Sequence, residues 1–531
     1  MLNTNIWSNS VAIIAFVIIA PILSIFYSAL LGDTSLWPHL FSTVLPRYLT
    51  NTIILMVGVG GFSLLFGVTT AWVVTRYNFF GKKFFEWMLL LPAAVPAYII
   101  AYTYTDFFEY AGPLQGLLRD IFGWENSKDY WFPNIRSMSG AILVMSSVLY
   151  PYVYLMTRAS FITTPVSFFQ TSSIYGRNSF FNVAIPFGRP GIIAGLALVL
   201  METISDFGTV DYFAIETLTL GVFNVWLGMN SLSGASQISS ILFMIVVILL
   251  TLEYLGRRSR RFHEQYSGSS NLPIETVSNL KNFFLFFICL IPLSLGFLIP
   301  VSILLNYVIK GYSIIDFYKI IQITFSSISL ALVASIIIML LSLLMIVVGT
   351  YKSNKFQKIL IFFASCGYAF PGTILAVGIV VFVGWLNDLV YFHMSYVVGG
   401  FLILLFAYSI RFLAIGNGAV RSGISRIHPN LLDASKTMGV GFFKSVRIII
   451  LPLLYTNLLV GGILVFVDIL KELPITLLLR PFNFETLATY VYQYASDEML
   501  EESAFAALII VLAGLGPVIF LNKTINRSIK N

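Results

Sequence analysis

The sequence predicts an all-α polytopic membrane protein of about twelve transmembrane helices, arranged as two parallel six-helix repeats. Three observations carry that expectation. Of 531 residues, 58% are hydrophobic and only 10% charged, against about 25% charged in an average soluble domain. Apolar runs close to the length that an α-helix needs to cross a hydrocarbon core recur along the whole chain. The chain also repeats its own landmarks at matching places in its two halves. Spanning strands would be about half as long and would alternate in polarity, so a β-barrel does not fit.

The expected spans are roughly 10–31, 52–75, 85–107, 138–157, 189–206, 238–255, 281–305, 326–350, 357–384, 395–415, 453–470 and 503–521. The first run is read as a retained helix, because Met1 to Ser10 carries no Lys or Arg and no small-residue cleavage pattern follows it. Charge sets the orientation. With the N-terminus inside, the outer loops hold eight basic residues: Arg47, Arg119, Lys128, Arg136, Lys310, Lys319, Lys471 and Arg480. Arg411 falls within a span, and the remaining 22 of the 31 Lys and Arg fall on the inner side. That bias predicts both termini in the cytoplasm, in a multi-pass protein of the inner (plasma) membrane. It also accounts for the net charge of +7 through lipid rather than nucleic acid. Cys289 and Cys366 lie in apolar runs and read as small buried hydrophobes. Trp7, Trp37, Trp131 and Trp226 sit near span ends, where aromatic rings anchor at the interface.

The repeat predicts a first half at 1–256, a polar linker at 257–280 and a second half at 281–531. Arg76 to Ala101 parallels Tyr351 to Ala376, with Pro96 matching Pro371. Gln170 to Pro186 parallels Asp433 to Pro452, and Glu202 and Asp206 parallel Asp468 and Glu472. Six spans per half is an even number, so both halves insert with the same orientation, and a transport path is expected between them. Pro96 and Pro371 are candidates to break their helices, either to open backbone groups to a path or as packing kinks.

Chemistry is sparse. The four histidines are scattered without metal-ligand spacing, no Ser–His–Asp or Cys–His arrangement stands out, and no G-x-x-x-x-G-K-[ST] phosphate loop occurs. An enzyme is therefore not expected, and the chain should bind no cofactor. The informative cytoplasmic stretch is 428–452. Pro429 suits the first turn of a short helix, Asp433 complements its N-terminal partial charge and Gly439 is a natural stop. Leu451 and Pro452 then open the next span. The stretch reads as two short helices hinged at a glycine.

Asp433-Ala434-Ser435, then Gly439, then Ile449-x-Leu451-Pro452 resembles the E-A-A-x3-G-x9-I-x-L-P loop of ABC-importer permeases. Asp433 and Ser435 stand where that family has glutamate and alanine. The resemblance implies a coupling loop that docks on separate ABC ATPase subunits, expected in two copies, which use the ATP. It also implies an extracytoplasmic substrate-binding protein as partner. The first-half copy, at 165–186, is degenerate: Gln170-Thr171-Ser172 replaces the triplet while Gly176 and Pro186 remain. Gly176 to Pro186 is three positions shorter than Gly439 to Pro452, which predicts unequal engagement of the ATPase.

Glu202 and Asp206 are four apart and share a helix face, as do Asp468 and Glu472. Counting from Pro186 and Pro452, all four fall near the outer end of their spans. METISDFGT (201–209) and KELPITLLLRPFNFETLA (471–488) resemble the ferric-iron branch of fused ABC permeases. The four acids are thus candidates to line the outer mouth of the path, since a hard trivalent cation prefers oxygen ligands. No metal site is assigned. The alternative role for these acids is structural: Asp468 and Glu472 could pair with Lys471 or Arg480, and Asp206 could cap a helix. Two other functions stay open at this point, an ABC permease for thiamine or a phosphonate and an ion-coupled secondary transporter.

Overall fold

The computed structural model describes residues 2–258, 275–311, 315–351, 354–390, 400–425, 427–428 and 430–530. Most of the expected linker 257–280, and Pro429, lie outside the described residues. Among those described, nine helices are long and apolar enough to cross a membrane. They are Trp7–Leu31, Leu45–Arg76, Met138–Ile162, Phe180–Ser205, Leu232–Gly256, Asn279–Lys310, Phe317–Tyr351, Phe401–Ile424 and Phe442–Leu470. The expected span 85–107 is broken, with Lys82–Ala94 and Ala97–Phe122 meeting at 90°. The span expected at 357–384 divides too, into Lys355–Ala364, a short turn Gly367–Ala369 and Gly372–Val390. The last expected span falls within the helix Leu500–Lys530.

Proline explains both breaks. Pro96 and Pro371 offer no N–H to a helix and disfavour helical backbone in the residue before them. Val95 and Phe370 are accordingly extended. Three other prolines extend a helix instead of breaking it. Pro186, Pro300 and Pro452 each follow a five-residue π-turn: Phe180–Ala184, Ser294–Leu298 and Val446–Ile450. In each, the residue before proline donates to the carbonyl five back: Ile185 to Phe180, Ile299 to Ser294, Leu451 to Val446. Widening the ladder by one residue absorbs the missing N–H without ending the helix. The spans expected to begin near 189 and 453 therefore start at Phe180 and Phe442.

The chain forms two compact units that interleave along the sequence. The first comprises Met1–Leu36, Val222–Ser240 and Phe317–Thr489, and the second Trp37–Gly221, Ile241–Asp316 and Tyr490–Asn531. These units do not follow the boundaries 1–256 and 281–531. The opening helix of the chain, Leu2–Leu31, packs on Lys355–Ala364 and Gly372–Val390. Ser24 Oγ donates to the Gly378 carbonyl at 2.8 Å, Gly378 leaves no room for a Cβ beside Pro21, and Trp7 stacks on Phe443 at 6.2 Å. In the second unit the counterpart is Asn279–Lys310, where Ile299–Lys310 packs against Leu500–Lys530.

Each unit has a three-helix centre in which small residues let backbones approach. In the second unit Leu45–Arg76, Met138–Ile162 and Ile185–Ser205 pack together. A Cβ at Gly67 would stand 2.6 Å from Val153 Cβ, and one at Gly195 2.6 Å from Val153 Cα. In the first unit the trio is Phe317–Tyr351, Phe401–Ile424 and Leu451–Leu470. There a Cβ at Gly461 would stand 2.6 Å from Ala419 Cβ.

Candidate functional site

The two stretches at 165–186 and 428–452 share one backbone design. Val166–Ile174, which carries Gln170, and Asn430–Thr437, which carries Asp433, Ala434 and Ser435, are the short helices. Each is ended by a left-handed glycine, Gly176 at φ +63° and Gly439 at φ +73°. Arg177 N donates to Ser172 O at 2.9 Å and Gly176 N to Ser173 O at 3.1 Å, while Val440 N donates to Ser435 O at 3.0 Å. These are Schellman turns, which satisfy the last carbonyls of a helix. Nothing lies within 4 Å of a Cβ at either glycine, so backbone conformation alone requires the residue.

The three-residue difference between the copies has a definite place. Aligned on Pro186 and Pro452, Ser179 falls on Ser445 and the π-turn Phe180–Ala184 on Val446–Ile450. Ser179 Oγ donates to Ser172 Oγ at 3.4 Å, and the Ser435 and Ser445 hydroxyls meet at 2.7 Å. The serine contact is thus kept in both. The surplus in the longer copy is taken up by one extra turn, Phe442–Ser445, at the start of the span. That span runs for 29 residues against 26 in the shorter copy. The second short helix expected before Leu451 is therefore continuous with the membrane helix. Around the glycines, Ile174, Tyr175, Met438 and Phe443 are exposed, an apolar surface beside each hinge.

At the other end of these helices the acids divide by partner. Asp206 follows Ile185–Ser205 and caps the next short helix, Gly208–Tyr212. It accepts from Thr209 N at 2.9 Å, Thr209 Oγ1 at 2.9 Å and Val210 N at 3.2 Å. Burial raises its pKa against the opposing pull of those donors. Glu472 does the same for Pro474–Leu479, accepting from Ile475 N at 3.2 Å. It also pairs with Arg411 Nε at 3.2 Å, both side chains being under one-tenth exposed. Arg411 Nη1 donates to the Phe370 carbonyl at 3.2 Å, the group that the Pro371 break sets free. Asp468 pairs with Lys471 at 2.8 Å, and Glu202 is half-buried. Arg480 donates to Phe484 O and Thr489 Oγ1, and the buried cation that Glu472 meets is Arg411, 61 positions earlier.

Each unit thus holds a continuous helix from a left-handed glycine turn to an acid-capped short helix. In both, that short helix rests on the helix that follows the proline break. Pro474–Leu479 packs on Gly372–Val390, and a Cβ at Gly372 would stand 2.9 Å from Glu472 Oε1. Gly208–Tyr212 packs on Ala97–Phe108, with the Tyr102 and Tyr212 rings edge to face at 4.4 Å. Sequence reasoning missed the carboxylate–phenol contacts of the second unit, Asp106 with Tyr307 and Asp211 with Tyr492 at 2.5 Å. Among the described residues no three His, Cys, Asp or Glu side chains converge as a metal site.

Residues 343–531 match the family described as binding-protein-dependent transport system inner membrane component. Over 498 residues, 91% of both chains, the sequence is 24% identical to the Fe(3+)-transport system permease protein FbpB 2 of Haemophilus influenzae. It is 20% identical over 537 residues to the ferric transport system permease protein FbpB of Actinobacillus pleuropneumoniae, covering 94% of this chain and 75% of that one. The molybdenum transport system permease protein ModB of Escherichia coli is 26% identical over 209 residues, 38% of this chain and 88% of that one.

Removing one partner of a buried ion pair strands the other charge and typically costs about 3–5 kcal/mol, whereas replacing both by apolar residues is often neutral. Arg411→Met should therefore lower the thermal unfolding midpoint of the detergent-purified protein clearly. The double variant Arg411→Met, Glu472→Met should recover much of that loss. Equal losses in the single and double variants would show that the pair is not coupled.

Proposed function

We propose that this chain is the membrane-spanning permease subunit of an ABC importer that carries ferric iron. The observation that carries the reading is the near full-length match to a ferric-iron permease, which the shorter molybdenum match does not equal. On this reading the chain supplies no catalysis. ATP is hydrolysed by ABC ATPase subunits, two copies of which dock on the loops 165–186 and 428–452. Iron arrives from an extracytoplasmic binding protein, and both termini lie in the cytoplasm of a cell with the protein in its inner membrane. The two sequence halves are parallel repeats of one permease plan.

The structure supports a mechanical account of coupling. The exposed apolar residues beside Gly176 and Gly439 suit a groove on a partner. Because each glycine turn is tied by a serine contact to the helix that follows, displacement of the short helix moves the span. A helix of 26 to 29 residues is about 40 Å long, long enough to carry that motion across the bilayer. At its outer end the motion reaches the proline-broken helix. Asp468 and Glu472 are held in ion pairs, so Asp206, whose described donors are all neutral, is the carboxylate we assign first to the path.

Two outcomes follow. Cells carrying the chain should take up labelled ferric iron, and Asp206→Asn should reduce that uptake severalfold at unchanged expression. Uptake should stop on ATP depletion and survive an uncoupler. Labelled thiamine uptake in place of iron, or loss of iron uptake with the uncoupler alone, would contradict the reading. For the docking loops, Gly439→Pro should impair co-purification of the ATPase more than Gly176→Pro, because the longer copy keeps the fuller motif. Equal impairment would remove the proposed inequality.

A further inference from the structure

Resting on the ferric-iron reading, we propose that Tyr102, Asp211 and Tyr492 form an oxygen-ligand site in the second unit that takes the ferric ion in transit. Asp211 and Tyr492 are already joined, carboxylate to phenol, at 2.5 Å. Tyr102 is 1% exposed, and its hydroxyl has no hydrogen-bond partner. Buried phenols ordinarily find one. The Tyr102 ring meets that of Tyr212, the residue next to Asp211, edge to face at 4.4 Å, and its helix Ala97–Phe108 packs on Gly208–Tyr212, which carries Asp211.

The fold holds these groups firmly. Tyr102 stands on Ala97–Phe108, the helix that begins at the Pro96 break. Asp211 stands on the short helix that Asp206 caps, and Phe207 beside that cap packs on the Tyr492 ring at 6.0 Å. Tyr212 lies against Tyr102 on one side and under the Arg136 guanidinium, at 5.0 Å, on the other. Arg136 is in turn held by Glu109 at 2.7 Å and Glu498 at 3.1 Å. The site is thus attached to the end of the helix that the cytoplasmic loop moves.

The chemistry fits a hard trivalent cation. One carboxylate and two phenolates are anionic oxygen donors whose summed charge offsets that of Fe3+. A bound cation favours the deprotonated form of its ligands. Binding therefore forms bonds from iron to the Tyr102 and Tyr492 phenolate oxygens and to the Asp211 carboxylate. The two phenol protons leave to solvent, and no electron is transferred. A divalent cation would leave the three anionic donors one charge in excess, and an oxyanion has the wrong sign.

The test uses the full chain in lipid nanodiscs with ferric nitrilotriacetate as the iron source. Iron bound to phenolate absorbs in the visible by charge transfer. The wild-type protein should gain such a band and release two protons per bound ion. Tyr102→Phe and Tyr492→Phe should each weaken the band at least twofold, and Asp211→Asn should weaken iron binding at least tenfold. Tyr104→Phe, whose hydroxyl instead meets the Leu295 carbonyl, should change nothing. Gallium(III), which is colourless, should bleach the band by competition and so reports on the site without any substitution. A wild-type protein without the band, or a band that survives both tyrosine substitutions, overturns the assignment. Iron uptake by cells alongside an absent band would sink this site and leave the transport reading standing. Absence of uptake would sink the transport reading itself.

Discussion

Inside a bilayer no water is at hand for a backbone carbonyl or N–H that its helix does not use. The structure depends on how that constraint is met wherever a proline interrupts a helix. At Pro186, Pro300 and Pro452 a π-turn reroutes one hydrogen bond and the helix runs on. At Pro371 the helix stops, and the Phe370 carbonyl that it releases is taken by Arg411. Arg411 brings a charge into the interior, and Glu472 balances it. One proline therefore accounts for a buried cation, a buried anion and the seating of the short helix that Glu472 caps.

The same logic turns a set of local solutions into a device. The span Phe442–Leu470 begins one turn before its π-segment and ends at Glu472's cap. It is joined at one end to a glycine turn with exposed apolar neighbours and at the other to the ion pair. The second unit repeats the plan with different chemistry. Asp206 caps with backbone and hydroxyl donors where Glu472 has an arginine, and the neighbouring short helix brings Asp211 to Tyr492. Two halves built alike are thus tuned apart: one end is stapled by charge, the other is rich in neutral phenols.

Much of this was legible in the sequence because proline and glycine have few options. Gly176 and Gly439 mark left-handed turns, Pro96 and Pro371 mark breaks, and their equal order in the two halves identified the pairs. Arg411 stood out as a cation deep within a span rather than at its end, but Glu472 lies 61 positions on, and local spacing cannot reach that far. The structural roles weighed for Asp468 and Asp206 match the contacts found, a pair with Lys471 and a helix cap. The tyrosine contacts were hidden because tyrosine in a membrane helix ordinarily reads as packing or anchoring. Helix exchange was hidden for a different reason. Leu2–Leu31 is apolar on nearly every side, so its pattern names no face and no neighbour, and only packing shows that it belongs with Phe317–Thr489.

The central claim is that motion at the Gly439 turn reaches the proline break through Glu472 and Arg411. Hydrogen exchange of the amides from Gly367 to Leu375, in the chain assembled with the proposed ATPase and compared with and without ATP, tests it most directly. The account predicts that ATP changes protection there in the wild type and that Glu472→Gln abolishes the change while the ATPase still binds. Protection that ignores ATP in the wild type, or that responds equally in Glu472→Gln, would contradict it.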